Sequence, residues 1–147
     1  MKLHTTSEVI GFAKKLENES AKAYEDLSQI YAEDEDVLLS FAKDNRKNIV
    51  AIERAYYGVI TDAIEGAFAF DIAPDEYTFE ITVAEKASYP EALDNTIKVE
   101  EKILKFYSDA ADQSKSLMAD VPRSFVSVAK KRSSRILKLR ELMGKRA

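Results

Sequence analysis

Apolar residues recur in steps of three and four along four long stretches of the chain, the spacing that lines one face of an amphipathic helix. The first stretch places Val9, Ala13, Glu17, Ser20, Tyr24, Leu27 and Tyr31 on an inward stripe. It opens at Thr5, whose hydroxyl can cap the helix while Glu8 reaches back, a capping box. The run Glu33-Asp34-Glu35-Asp36 breaks the pattern and supplies the next helix with negative charge at its N-terminus. The second stripe reads Leu38, Phe41, Asn45, Asn48, Ile52, Tyr56, Val59 and Ala63, with an expected kink at Gly58 and an end near Gly66. Residues 67–89 then form a connection containing Pro74 and an expected short helix over Thr78–Ala87, long enough to cross the length of a helical bundle. Pro90 suits the first turn of the third helix, whose stripe is Leu93, Ile97, Glu100, Leu104, Tyr107 and Ala111. Asp120 and Pro122 mark the next boundary. The fourth helix shows Phe125, Val128, Arg132, Arg135, Leu139 and Leu142 and is expected to stop at Gly144.

The helices repeat. At an offset of 83 the first and third match at Lys15/Lys98, Glu17/Glu100, Lys22/Lys105, Tyr24/Tyr107 and Asp26/Asp109. At an offset of 87 the second and fourth match at Ser40/Ser127, Ala42/Ala129, Lys43/Lys130 and Ile49/Ile136. Order and register agree, which reads as a duplicated helical hairpin. The expected fold is all-α: an antiparallel four-helix bundle from two duplicated hairpins with a long middle crossover, forming one domain over residues 1–147.

Polar residues interrupt the apolar stripes at Glu17, Asn45, Asn48, Glu100, Arg132 and Arg135. Burying such groups is costly unless they are paired or bind something. The duplication sorts them into two equivalent sets, a lone Glu on one helix and an i, i+3 polar pair on its partner. Tyr24 and Tyr107 read as core aromatics whose hydroxyls can bond to the glutamates.

This pattern resembles the rubrerythrin-type branch of the ferritin-like di-iron carboxylate proteins, over about residues 8–142. Those proteins place a ligand Glu seven residues before an aromatic on the odd-numbered helices, as in Glu17-Asn-Glu-Ser-Ala-Lys-Ala-Tyr24 and Glu100-Glu-Lys-Ile-Leu-Lys-Phe-Tyr107. On the even-numbered helices they carry a small residue, two variable positions, then E-x-x-H. Here the corresponding runs are Ala42-Lys-Asp-Asn45-Arg-Lys-Asn48 and Ala129-Lys-Lys-Arg132-Ser-Ser-Arg135, so both E-x-x-H motifs are absent. The resemblance implies a ferritin-like fold and leaves Glu17 and Glu100 as the residual metal-ligand positions. Arg cannot ligate a metal, but its planar fork can bridge carboxylates and so replace the cations.

Composition narrows the options. The chain has no Cys, which removes disulfides, thiolate metal sites and cysteine nucleophiles. Its one histidine, His4, precedes the first helix, so a triad or a histidine-ligated iron pair in the core is not available. No Gly-rich phosphate loop is present. The acidic run at 33–36 lacks the Gly and terminal Glu of an EF-hand loop. Without a signal pattern or a membrane-length apolar run, the expected location is cytoplasmic and no membrane partner is expected. The net charge of −4 hides a basic end: residues 123–147 carry nine Lys/Arg against one acid. These charges are not confined to one face, which argues against nucleic acid as a partner. The apolar run Ala67-Phe68-Ala69-Phe70 is a candidate surface for a homodimer. The functional expectation is a scaffold without cofactor or catalytic residues, whose core is a Glu/Arg/Asn cluster. Two alternatives stand beside it. One is an iron-binding oxidoreductase or iron-handling protein using Glu17 and Glu100, with Asp44 as a spare ligand. The other is an anion- or nucleic-acid-binding module using the basic last helix. The residues name no small-molecule substrate.

Overall fold

A computed structural model describes residues 2–59, 68–79, 87–115 and 120–146, with the backbone alone at Gly58, Val59 and Phe68. Four long helices carry these residues: α1 over Thr6–Ile30, α2 over Glu35–Val59, α3 over Tyr89–Gln113 and α4 over Asp120–Arg146. Short 3-10 turns lie at Ala32–Asp34 and Pro74–Glu76, and strands β1 (Leu3–Thr5) and β2 (Phe68–Ile72) form a small antiparallel ribbon.

The start of α1 is the capping box expected from the sequence. Thr5 Oγ accepts from the Glu8 N–H at 3.2 Å, and Glu8 Oε1 accepts from the Thr5 N–H at 3.0 Å. Those backbone bonds, from Thr5 and then His4, also hold the Glu8 carboxyl below its usual range. Replacing Thr5 by Ala should cost about 1 kcal/mol, read as a lower denaturation midpoint. An unchanged midpoint would mean that the β1–β2 pairing, rather than the cap, fixes the helix start. Ser88 caps α3 through the Glu91 N–H, with Pro90 in the first turn.

Residue pairs give the helix directions. Lys14 pairs with Glu53 and Glu25 with Arg46, so α1 and α2 run opposite ways. Phe12 meets Phe106 and Tyr31 stacks on Tyr89, so α1 and α3 are antiparallel. Tyr107 lies beside Phe125, while Leu93 and Ile97 share a cluster with Leu139 and Leu142, so α3 and α4 are antiparallel as well. It follows that α2 and α3 point the same way. Tyr56 near the end of α2 and Tyr89 at the start of α3 belong to different clusters. The connection between them therefore travels along helices of 25 residues, each roughly 37 Å long at 1.5 Å per residue.

Several local expectations change. The connection is not merely a linker with a helix: β2 alternates buried Phe70 and Ile72 with the exposed Asp71, and pairs with β1 in the register Leu3↔Ile72 and Thr5↔Phe68. Gln113 ties this ribbon to α3 through both backbone polar groups of Asp71. Thr78, Phe79 and Ala87 are not helical, and residues 80–86 of the expected short helix lie outside the described residues, as do Ala63 and Gly66. Helix α2 is continuous through Gly58 to Val59. Helix α4 does not stop at Gly144, because no glycine among the described residues turns left-handed and Arg146 clamps the last turn to Asp34 and the Glu33 carbonyl. On α3, Ile103 and Phe106 are fully buried, whereas Leu104 is only partly so. Phe70 is 3% exposed and packs edge-on against Phe125, so its ring is spent inside this chain rather than offered to a second copy. Ala67 and the Phe68 side chain lie outside the described residues.

The apolar side chains form two separate clusters. One gathers Val9–Leu16, Ile52, Tyr56, Ile103–Ala111 and Val121–Val128 around the ribbon. The other gathers Ala21–Tyr31, Leu38–Ala42, Tyr89–Ile97 and Ile136–Leu142. Every helix crosses from one to the other, and the residues at the crossing are polar.

Candidate functional site

The gap between the two clusters is filled by Glu17 and Ser20 from α1, Asn45 and Asn48 from α2, Glu100 from α3, and Arg132 and Arg135 from α4. All seven are buried, with Glu17, Asn45 and Arg132 at 0% exposure. Helical spacing explains the convergence: positions i and i+3 share a face, so Asn45/Asn48 and Arg132/Arg135 each point two side chains inward from adjacent turns.

Arg132 is the centre. Its Nη2 donates to Glu17 Oε2, and its Nη1 donates to Glu100 Oε1 at 2.6 Å and to Ser20 Oγ at 3.2 Å. One guanidinium thus bridges carboxylates from two helices. Asn48 Nδ2 donates to the other Glu17 oxygen at 2.7 Å. The Tyr24 hydroxyl donates to Glu100 Oε1 at 2.5 Å. Arg135 donates to Asn45 Oδ1 at 2.6 Å and to the Phe41 carbonyl at 3.2 Å, with a longer contact of 3.4 Å to Glu100. Its guanidinium also lies 4.9 Å from the Phe41 ring centre and 5.2 Å from that of Tyr24, within cation–π range. Two carboxylates face two guanidiniums, so the layer is neutral as a whole.

Electrostatics follow from this closure. Burial by itself would weaken the hold of Arg132 on its proton, but the Glu100 and Glu17 charges outweigh it, and the guanidinium is more firmly protonated than in water. Burial, then the Glu100 charge, pushes the Tyr24 phenol well above its usual range. Burial, then the Glu17 charge, does the same to Tyr107. The Tyr107 hydroxyl makes no well-formed hydrogen bond among the described residues, and neither do Asn45 Nδ2, Asn48 Oδ1, Glu100 Oε2 or Arg132 Nε.

All six polar residues singled out on the apolar stripes therefore come together, with Tyr24 and Tyr107 against them. Asp44 does not join: it is exposed on α2. His4 is remote, on β1, where its Nδ1 lies 3.1 Å from the Phe70 carbonyl oxygen. Sequence reasoning missed two partners, Ser20 Oγ and the Phe41 carbonyl. Ser20 stood on the inward stripe of α1 and its position was the available signal. A backbone carbonyl leaves no such trace.

The chemistry open to the layer is narrow. Its guanidiniums cannot act as bases, its phenols hold their protons, and Glu17 and Glu100 are occupied by Arg132. Among the described residues, no group of three or more His, Cys, Asp or Glu could hold a metal ion. Two carboxylates bridged by a guanidinium do not fit the donor set of a di-iron centre, which needs four carboxylates and two imidazoles around two cations. Of the bases near the C-terminus, Arg132 and Arg135 face the core, while Arg140 reaches Glu101 and Arg146 reaches Asp34. No described helix is long and apolar enough to cross a membrane. Compared with family models, with curated proteins and with solved structures, the chain matches none.

Proposed function

We propose that this chain is a ferritin-like bundle of two duplicated helical hairpins, resembling the rubrerythrin-type proteins, in which a buried charge-paired cluster stands in the place of a di-iron centre. It serves as a metal-free scaffold. The observation that carries this reading is the single Arg132 guanidinium bonded to both Glu17 and Glu100, the two positions where the resemblance puts metal ligands. A positive charge fixed in the chain occupies the role of a bound cation.

The contacts support the duplication. Under the offsets of 83 and 87, Tyr24 with Glu100 becomes Tyr107 with Glu17, and both tyrosines respond to those carboxylates. Likewise the Asn48–Glu17 bond becomes the Arg135–Glu100 contact. The parallel directions of α2 and α3, with a long connection between them, support the ferritin-like arrangement.

Metal addition tests the proposal. Aerobic Fe(II) should produce no oxo-bridged absorption band, and divalent metals in large excess should leave the melting temperature unchanged. Ligand stabilisation grows with concentration over affinity, so a tight site would show itself. A stoichiometric two-ion complex, or a metal-dependent rise in melting temperature lost in Glu17→Gln, would overturn the scaffold reading in favour of an iron protein.

A further inference from the structure

A groove of about 550 Å³ lies between α2 and α4, alongside the polar layer. Its walls carry Lys47, Lys130, Lys131 and Lys138, with Asp44 as the acid among its described lining residues, and Phe41, Asn48 and Arg135 at its floor. Arg135 is turned inward to Asn45 and Glu100, so the outward charge is that of the four lysines. Lys138 has Glu141 at 3.8 Å; Lys47, Lys130 and Lys131 make no ion pair with any described residue. Four like charges around one concavity repel one another unless an anion enters, and a groove of this size falls in the range of small-molecule sites.

The floor adds a second requirement. Asn48 is 1% exposed, its Nδ2 is committed to Glu17, and its Oδ1 has no hydrogen-bond partner. A buried acceptor left open is costly and calls for a hydroxyl donor, which a fully ionised anion such as sulfate does not supply. An alcohol does.

We infer that the α2–α4 groove binds a small molecule bearing two phosphate groups and at least one free hydroxyl, the phosphates on Lys47, Lys130, Lys131 and Lys138 and the hydroxyl donating to Asn48 Oδ1. Two phosphates are required by charge. A phosphate monoester carries about −1.5 to −2 at neutral pH, so one leaves the net positive charge of the four lysines and Asp44 incompletely matched, and two satisfy it. Asn48 and Arg135 belong to the polar layer through Glu17 and Glu100, whereas Lys47, Lys130, Lys131 and Lys138 do not touch it, so lysine variants test the groove separately from the scaffold proposal.

Calorimetric titration of the full chain with a hexose bisphosphate tests it. One molecule should bind per chain, and the hexose monophosphate should bind about tenfold more weakly, as expected for loss of one charge-assisted contact. An alkanediol bisphosphate of equal length, lacking free hydroxyls, should also bind more weakly. The exposed double variant Lys130→Gln/Lys131→Gln should lose at least roughly tenfold in affinity with an unchanged melt, while Lys145→Gln, on the same helix but outside the groove, should bind as the parent does. Equal binding of mono- and bisphosphate, or equal losses in the groove variant and in Lys145→Gln, would overturn the site as diffuse charge attraction. Binding of a single-stranded oligonucleotide without binding of the bisphosphate would overturn it in favour of a nucleic-acid surface.

Discussion

Arg132→Ala should destabilise the protein by about 3–5 kcal/mol, the usual result of removing one partner from a buried ion pair. Domains of this size are stable by roughly 5–15 kcal/mol, so the variant should lose a large share of its stability and unfold at a much lower denaturant concentration. The reason lies in what remains: Glu17 and Glu100 at 0% and 1% exposure, with Asn48, Tyr24 and a long contact to Arg135 as their partners. The surface control Lys145→Ala should move stability by less than about 0.5 kcal/mol. Adding Glu17→Gln to Arg132→Ala should recover part of the loss, because one stranded charge is gone, and coupling energies for such contacts reach about 0.5–3 kcal/mol. Denaturant midpoints of the two single variants and the double variant settle this. If Arg132→Ala melts with the parent, the guanidinium does not hold the core together, and the scaffold proposal loses its centre.

The second large effect appears on the alkaline side. Tyr24 and Tyr107 have folded pKa values raised well above the phenol range, through burial first and then the Glu100 and Glu17 charges. The sign is set by the raised folded value: stability is complete below the unfolded phenol pKa, near 10, and is lost as pH climbs above it. Each such tyrosine adds a slope of about 1.4 kcal/mol per pH unit in that window. Stability should therefore fall by about 2.8 kcal/mol per pH unit above about pH 10 for the pair, and the protein should unfold cooperatively in strong alkali. Phenolate absorbance should show at least two of the seven tyrosines ionising only with loss of helix. Tyr24→Phe/Tyr107→Phe should flatten the slope. Smooth ionisation of all seven phenols with the helices intact would refute it.

Much of the layer was legible before any coordinates, because helical periodicity is strict. A glutamate seven residues before a tyrosine, between Ala13 and Leu27, has to point where its apolar neighbours point. The same reasoning places Asn45, Asn48, Arg132 and Arg135 inward. What periodicity cannot supply is pairing: which oxygen meets which nitrogen depends on how four helices slide and rotate against one another. Hence Ser20 and the Phe41 carbonyl emerge only in three dimensions. The β1–β2 ribbon was missed for a different reason. Phe68, Phe70 and Ile72 alternate as a strand should, but a three-residue partner at Leu3–Thr5 carries no period of its own. The end of α4 was misplaced because Gly144 stops a helix only when its backbone turns left-handed, and the Arg146 clamp on Asp34 keeps the last turn wound.

The position of the polar layer between two apolar clusters also bears on how the chain chooses among alternative packings. Aliphatic faces are forgiving: shift one helix by a turn, about 5.4 Å, and leucine still meets leucine. The same shift of α4 would carry Arg132 to the level now held by Val128 or Ile136, among apolar neighbours, and leave Glu17 facing hydrocarbon. Every slipped alignment therefore strands a charge, and only one does not. Residues that add little net attraction can in this way act as the notches of a key, rejecting near-native arrangements that the apolar clusters alone would tolerate.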